Sequence, residues 1–300
     1  MSISKVGPPA IAGENQKSIL NERKNKMKIN LTNVQKTLLL PLWGRAKLTK
    51  IGNPVLSDPK AVEIVEQIVE YDFAGVEKIF SDFFNVGWIT RAKMFDETIK
   101  TFLSNHSEAT VVNLGAGLDT TFFRIDNGKS RWYDLDLPDV IEIRKKIIPE
   151  GERSKCIAGS MLDPAWVKEV SAGSSDVLFF SGGVLFYFTE TEIKELFKLL
   201  ADNFPGAEIV FDTISTQAVP IVNKGLKDSG HESAQIKWGI NEAKELSGWD
   251  RRIIILEEYP MFSRLKNKDF LGENIAFYMM QNDKIKGSNI FHLKFAKADS

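Results

Sequence analysis

Three hundred residues with 43% hydrophobic content are enough for one elaborated globular domain, or a domain with a cap, and exclude disorder and collagen-like repetition. Lys plus Arg number 39 against 40 Asp plus Glu, a net charge of −1, so no overall electrostatic footprint calls for nucleic acid or a membrane surface. A lone cysteine, Cys156, excludes an intrachain disulfide framework and a cysteine-rich zinc site and fits a reducing compartment. The first twenty residues hold no continuous apolar core and no run reaches membrane-spanning length, so a cytoplasmic protein with no metal site and no membrane partner is expected.

Residues 1–30 are polar, with Arg23, Lys24, Lys26 and Lys28 close together, and read as a tail or short exposed helix. Thr37 to Leu48 is more apolar. Asp58-Pro59 supplies a helix cap with proline at the first helical position, and Val62, Ile64, Val65, Ile68 and Val69 form a stripe that runs to about Phe73. Further helices are predicted over Val76–Phe84 and Ile89–Leu103, so residues 31–105 read as a helical cap. After residue 110 short apolar runs alternate with helical patterns, the signature of a parallel sheet with crossover helices. The predicted strands are Val111–Leu114, Arg131–Leu135, Lys155–Ala158, Asp176–Ser181, Glu208–Thr213, Arg251–Tyr259 and Asn289–Ala296. Pro138–Ile148 reads as a helix with Arg144, Lys145 and Lys146 near its negative end, and Thr189 with Glu192 as a capping box. Residues 214–250 show no clear strand and read as an insertion over a ligand, within a ligand-binding unit spanning 106–300.

The stretch from Val111 to Phe123 is the most informative. Val111, Val112 and Leu114 suit a buried strand, Gly115 and Gly117 allow a tight turn with close backbone approach, and Thr120 to Arg124 open a helix. In a doubly wound sheet the ligand sits at the carboxyl ends of the strands. The second end offers Asp134 and Asp136; Asp136 lies 19 residues beyond Gly117, the distance at which an acid accepts hydrogen bonds from ribose hydroxyls, although either acid can also cap the next helix. The third end offers Leu162 and Asp163, the latter for a purine amino group or merely as the cap of the helix begun by Pro164. The fourth, Ser181-Gly182-Gly183-Val184-Leu185-Phe186-Tyr187, is glycine-lined and aromatic, as a flat adenosine permits and as ordinary core also requires.

These ends imply a nucleoside ligand. A dinucleotide turn wants Gly or Ala at the sixth position of Gly-x-Gly-x-x-Gly, where this chain has Thr120, and Asp119 at the fifth would place like charge beside a pyrophosphate. An ammonium-bearing ligand without phosphate, such as S-adenosylmethionine, fits better than a nicotinamide cofactor. The fourth strand also lacks the Asn/Asp-Pro-Pro-aromatic motif that grips a flipped base.

The residues Thr37–Leu48, Arg91, Gly115–Thr120, Tyr133–Pro138, Asp163–Trp166 and Gly183–Tyr187 together resemble the leucine carboxyl methyltransferase family, most closely its bacterial branch of polyketide O-methyltransferases, from about residue 35 to the C-terminus. The resemblance implies a class I methyltransferase fold, α/β and Rossmann-like, with a seven-stranded, mostly parallel sheet whose last strand is antiparallel, and S-adenosylmethionine as methyl donor. Carried onto this chain, it assigns Arg91 to the donor's methionine carboxylate, Gly115 and Gly117 to the donor's bed, Asp119 to its polar end, Asp136 to the ribose, and Leu162 with Asp163 to the adenine. Ser181 is placed among the donor residues, and Tyr187 is the candidate for orienting donor or acceptor. Where many members have an acid before the Gly-Val-Leu segment, this chain has Gly182, which puts that contact in doubt.

The expected reaction is methyl transfer to an oxygen of a small-molecule carboxylic acid or phenol; a protein C-terminal carboxylate, or donor binding without catalysis, are the competing readings. A carboxylate acceptor needs no general base, whereas a phenol does, and His231 in the 214–250 insertion is the histidine placed to serve as one.

Overall fold

The computed structural model describes residues 27–28, 38–69, 73, 82–171, 173, 176–228, 234–266 and 272–297. Three helices precede the sheet: α1 (Leu39–Lys50), α2 (Pro59–Gln67) and α3 (Asp82–Asn105). Asp58 caps α2 as expected, accepting from the Ala61 N–H at 3.0 Å, with Pro59 at the first helical position. The helix stops at Gln67, short of the predicted Phe73, because Ile68–Val69 turn extended and pair in parallel with Met27–Lys28. Apart from those two residues the expected N-terminal tail lies outside the described residues, as do positions 76–81 of the helix predicted over Val76–Phe84. The two helices predicted on either side of residues 85–88 are one: α3 runs unbroken through Gly87. Its continuity has a packing cause. Asn85 and Trp88 close on Gly44 of α1, where an added Cβ would stand 2.8 Å from Asn85 Oδ1 and 2.6 Å from Trp88 Cε3, so α1 and α3 cross at contact distance.

The seven predicted strands all form: β1 (Thr110–Leu114), β2 (Arg131–Asp136), β3 (Ser154–Ala158), β4 (Val177–Ser181), β5 (Glu208–Ile214), β6 (Ile253–Pro260) and β7 (Ser288–Phe295). Their order is β3-β2-β1-β4-β5-β7-β6, parallel except for β7, which runs antiparallel to both β5 and β6. This is the mixed sheet of a class I methyltransferase, with its order reversing at β1 and β4, where a crevice opens. β6 begins at Ile253 rather than Arg251 because Asp250 closes a turn, accepting from the Arg252 backbone at 2.9 Å while Ile253 N–H donates to its carbonyl at 3.0 Å.

Residues alternate cleanly between the two faces. Val112, Phe179, Phe211 and Phe291 point into one core shared with α7 (Glu190–Asn203), and Val111, Leu178, Phe180, Val210 and Ile290 into the other, shared with α3. The remaining described helices are α4 (Thr121–Ile125), α5 (Pro138–Ile147), α6 (Val167–Ser171), α8 (Val219–Asp228) and α9 (Glu273–Lys284). None of the described helices is long and apolar enough to cross a membrane.

A buried ionic network joins the N-terminal helices to the sheet. Asp58 Oδ2 accepts from Arg45 Nε at 2.9 Å, from Arg124 Nη1 at 2.9 Å and from the Thr120 hydroxyl at 2.6 Å. Arg124 then grips Asp96 of α3 with two parallel bonds of 2.8 Å. Burial works to raise the Asp58 pKa, but Arg45 and Arg124 outweigh it and hold the carboxyl below its ordinary value. Replacing Asp58 by Ala leaves two guanidinium groups buried without it and is expected to cost about 3–5 kcal/mol. Urea unfolding would test this, and a loss under about 1 kcal/mol would mean that the network does not anchor the helices.

Candidate active site

At the carboxyl ends of β1, β2, β4 and β5 a cavity of about 640 Å³ opens, within the ~300–1,000 Å³ of small-molecule sites. Its floor is the turn after β1. Gly115 and Gly117 adopt φ of +77° and +46°, which L side chains rarely take, and a Cβ on Gly115 would stand 2.7 Å from Val184 Cγ2. The turn is therefore built for glycine on both counts, conformation and space, and its bare backbone forms a bed that a ligand can approach closely.

Two further groups fix that bed. Asp136, at the end of β2, accepts from the Gly117 N–H at 2.7 Å and from the Leu137 N–H at 2.7 Å, and lines the cavity. Burial raises its pKa, with the two N–H groups opposing. Each oxygen keeps a lone pair beyond these bonds, as a pair of hydroxyl donors requires. Of the two acids of β2, Asp134 is buried away from the cavity beneath the turn and accepts from Arg144 Nη2 at 2.6 Å. Arg144 does not serve as a charge at a helix end. Its guanidinium is buried and also donates to the carbonyls of Gly117 at 3.0 Å and Asp119 at 2.9 Å, bracing the turn from below.

Asp119 lines the cavity and accepts from the Thr121 N–H at 2.8 Å and the Asn113 amide at 3.4 Å. Burial pushes its pKa up, but Arg124 and Arg45 more than offset this and keep it below the usual range. Thr120, the departure from a dinucleotide turn, is wholly buried in the ionic network, its hydroxyl donating to Asp58 and accepting from Arg124 Nη1 at 2.9 Å.

On the opposite wall, Arg91 of α3 donates from Nη1 to Asp212 Oδ2 at 2.9 Å, and Asp212 Oδ1 accepts from the Gly183 N–H at 2.6 Å. Sequence reading misses Asp212, although it sits near the carboxyl end of a predicted strand, the place that supplies the candidate acids elsewhere in the sheet. Tyr187 lines the same region with 37% of its surface open; burial raises the phenol's pKa, Arg91 opposes and Asp212 adds to it, so the hydroxyl is protonated at neutral pH. The structure thus brings Arg91, Gly115, Gly117, Asp119, Asp136 and Tyr187 around one cavity.

The other named residues stand off it. Asp163 caps the 3₁₀ turn Pro164–Trp166, accepting from Ala165 N–H at 2.9 Å, and Leu162 packs half-buried on the core, while the preceding Gly159–Met161 line the cavity. Ser181 is buried and donates to the Leu114 carbonyl at 2.8 Å, tying β4 to β1. Phe84, Trp88 and Phe95 from α3, Val222 and Leu226 from α8, and Phe186 with Phe262 give the cavity an apolar, aromatic stretch of wall, alongside the polar Thr213, Asn282 and Ser288. His106 stacks on Phe102 at 4.6 Å and His292 lies 2.9 Å from Glu208, both away from the cavity; His231 is outside the described residues. Among the described residues no three His, Cys, Asp or Glu side chains group to hold a metal.

A model of the leucine carboxyl methyltransferase family matches residues 42–201, more than half of the chain. The chain belongs to that family. It is 31% identical over 236 residues to the tetracenomycin polyketide synthesis O-methyltransferase TcmP of Streptomyces glaucescens, covering 78% of this chain and 85% of that protein. It is 29% identical over 274 residues to the S-adenosyl-L-methionine-dependent methyltransferase dpfgK of Gibberella zeae, covering 83% and 90%. Among solved structures, a putative methyltransferase from Thermobifida fusca has a TM-score of 0.54 at 13% identity over 85% of this chain and 94% of its own, a likeness of fold. The protein is a methyltransferase dependent on S-adenosylmethionine.

Gly115→Ala is expected to cost about 1–3 kcal/mol through its left-handed φ and the contact with Val184, and adding Val184→Ala to recover only the steric part. Thermal unfolding of the single and double variants measures both; a Gly115→Ala variant as stable as the parent would show that the turn tolerates a side chain.

Proposed function

We propose that this methyltransferase transfers the methyl group to a carboxylate oxygen of a small apolar, aromatic acid. The observation that carries the reading is that, among the described residues, the carboxylates facing the cavity are all engaged: Asp119 by an N–H and an amide, Asp136 by two N–H groups, Asp212 by Arg91 and an N–H. Asp119 is held below its ordinary pKa, Asp212 is paired with Arg91, Asp136 is taken up by the ribose in our reading, and a protonated Tyr187 is an acid rather than a base. A carboxylic acid acceptor, with pKa of roughly 4, arrives ionised and asks for neither. Oxygen as the nucleophile is also supported by the relative from Streptomyces glaucescens, an O-methyltransferase by name.

Donor and acceptor divide the cavity. In our reading Gly115 and Gly117 bed the donor, Asp136 takes its ribose, Asp119 faces its ammonium end, and Arg91 takes its carboxylate with the N–H groups that Asp212 leaves free. Leu162 and Asp163 shape the adenine end through the backbone of Gly159–Met161, and Ser181 holds β4 against β1 beneath it. When bound, S-adenosylmethionine supplies a methyl group on a sulfonium, which an oxygen nucleophile takes in line. The chain's own part is alignment and exclusion of water. The aromatic side chains of α3 give the acceptor a flat apolar seat, and the Tyr187 hydroxyl donates to the acceptor oxygen that does not react. The N-terminal helices over 31–105 and the 214–250 insertion act as cap and lid, since α1, α3 and α8 all contribute to the cavity wall. Closure removes hydration from an anion and a cation whose charges cancel in the transition state.

Asp136→Asn keeps the size, sets an amide NH2 against the Gly117 or Leu137 N–H and weakens the acceptor for ribose hydroxyls, and donor affinity measured by calorimetry is expected to fall by about 1.5–3 kcal/mol. Because burial raises the Asp136 pKa, the wild type is expected to lose donor affinity on acidification at higher pH than an ordinary carboxylate would dictate, and the Asp136→Asn variant to lose this dependence. Unchanged affinity in the variant would remove Asp136 from the site.

The acceptor is tested with labelled donor. Label is expected in small apolar molecules, released by mild base as an ester, with a turnover rate flat between about pH 6 and 8. A base-stable product, or a rate rising about tenfold per pH unit, would point to a phenol and a general base instead. Label recovered in protein would overturn the small-molecule reading.

A further inference from the structure

The surroundings of Arg91 hold an acid that none of the donor assignments uses. The guanidinium packs against Gly182 and Gly183: a Cβ on Gly183 would stand 2.6 Å from Nη1 and 3.0 Å from Nη2, and one on Gly182 3.5 Å from Nε and 3.1 Å from Phe95 Cε2. The space that side chains at 182 and 183 would claim is thus filled by Arg91 and Phe95. The counter-charge comes instead from the neighbouring strand. Asp212 sits on β5 with its side chain 6% exposed, against 15% for Arg91, and each of its oxygens has a separate task. Oδ2 accepts from Arg91 Nη1 at 2.9 Å, and Oδ1 accepts from the Gly183 N–H at 2.6 Å. One carboxylate therefore joins α3, the loop after β4 and β5, and restricts how the guanidinium plane can rotate.

A guanidinium presents five N–H donors in a rigid fork. Asp212 takes one end of that fork, which leaves the rest to meet a second anion in a single orientation. Removing the acid would leave a largely buried cation free to turn toward any oxygen within reach.

We propose that Asp212 is a positioning residue for the methyl donor, acting through Arg91: its carboxylate neutralises and orients the guanidinium so that the free edge faces the donor's methionine carboxylate. The inference rests on the reading that Arg91 addresses the donor. It also accounts for Gly182, because an acid delivered from β5 makes one at 182 unnecessary and sterically unwelcome.

A double-mutant cycle on the full chain separates the two claims, with S-adenosylmethionine and S-adenosylhomocysteine titrated calorimetrically into wild type, Arg91→Ala, Asp212→Asn and the double variant. Asp212→Asn keeps the size and an acceptor for the Gly183 N–H and removes the charge. Its donor affinity is expected to fall about tenfold or more, whereas the same change in the Arg91→Ala background should cost less than about twofold. In steady-state kinetics the KM for donor should rise with the KM for acceptor unchanged. Donor affinity within about twofold of wild type for Asp212→Asn, losses that add in the double variant, or a rise confined to the acceptor KM would each overturn the inference. Undiminished affinity in Arg91→Ala would instead overturn the parent reading. Should Asn at 212 prevent folding, the cycle is run with Asp212→Glu, whose extra methylene must displace Arg91 and is expected to weaken binding at least about fivefold, again only when Arg91 is present.

Discussion

The fold turns on the buried contact between Asp58 and Thr120. The two residues lie 62 positions apart, one capping a helix before the sheet and the other closing the glycine turn after β1, and they meet at 2.6 Å inside a cluster with Arg45 and Arg124. Buried ion pairs of this sort add little net stability relative to a well-packed apolar core. Their value here is geometric. A carboxylate with three directed partners accepts only one relative placement of α1, α2 and the turn, and through Arg124 and Asp96 it extends the same constraint to α3. The helix that carries Arg91 and the aromatic wall is thereby registered against the glycine turn that floors the cavity.

A second clamp works from the opposite side. Arg144 gathers the carbonyls of Gly117 and Asp119 and pairs with Asp134, while Asp136 receives the Gly117 N–H from above. Gly117 is thus held at both its N–H and its C=O by side chains of β2 and α5, and the Gly115 N–H by the Leu135 carbonyl of β2. A turn rich in glycine would otherwise be the most adaptable part of the chain; here it is preorganised, which is what a site that must align a methyl group within tenths of an ångström requires.

Much of this is readable in the amino-acid sequence, for reasons that differ by element. The central strands are legible because parallel strands buried on both faces are near-continuous apolar runs, as in Val111–Leu114 and Val177–Ser181, and antiparallel β7 by the alternation of Phe291, Leu293 and Phe295 with His292 and Lys294. Asp136 stands out by its distance from Gly117. The helix α3 spans the gap left between the helices predicted over Val76–Phe84 and Ile89–Leu103, and the tertiary contact of Asn85 and Trp88 with Gly44 lies in that gap. Thr120 is visible as an exception to a dinucleotide turn, but its partner Asp58 looks like a plain helix cap; a residue with two tasks displays only the local one. Arg144 hides in the same way behind its place near a helix end, and Asp212 behind the apolar letters of its own strand.

The same economy shapes the wall of the cavity. α3 presents Arg91 to one part of the cavity and Phe84, Trp88 and Phe95 to the other, on a single helix locked by Asp96. A rigid helix cannot adjust its charged and aromatic ends independently, so any displacement caused at one end is felt at the other. Asp212 sits at the junction, bound to Arg91 on one side and to the Gly183 backbone that leads into Tyr187 on the other. The acid the sequence conceals best is therefore the one that ties Arg91 of α3 to the loop after β4.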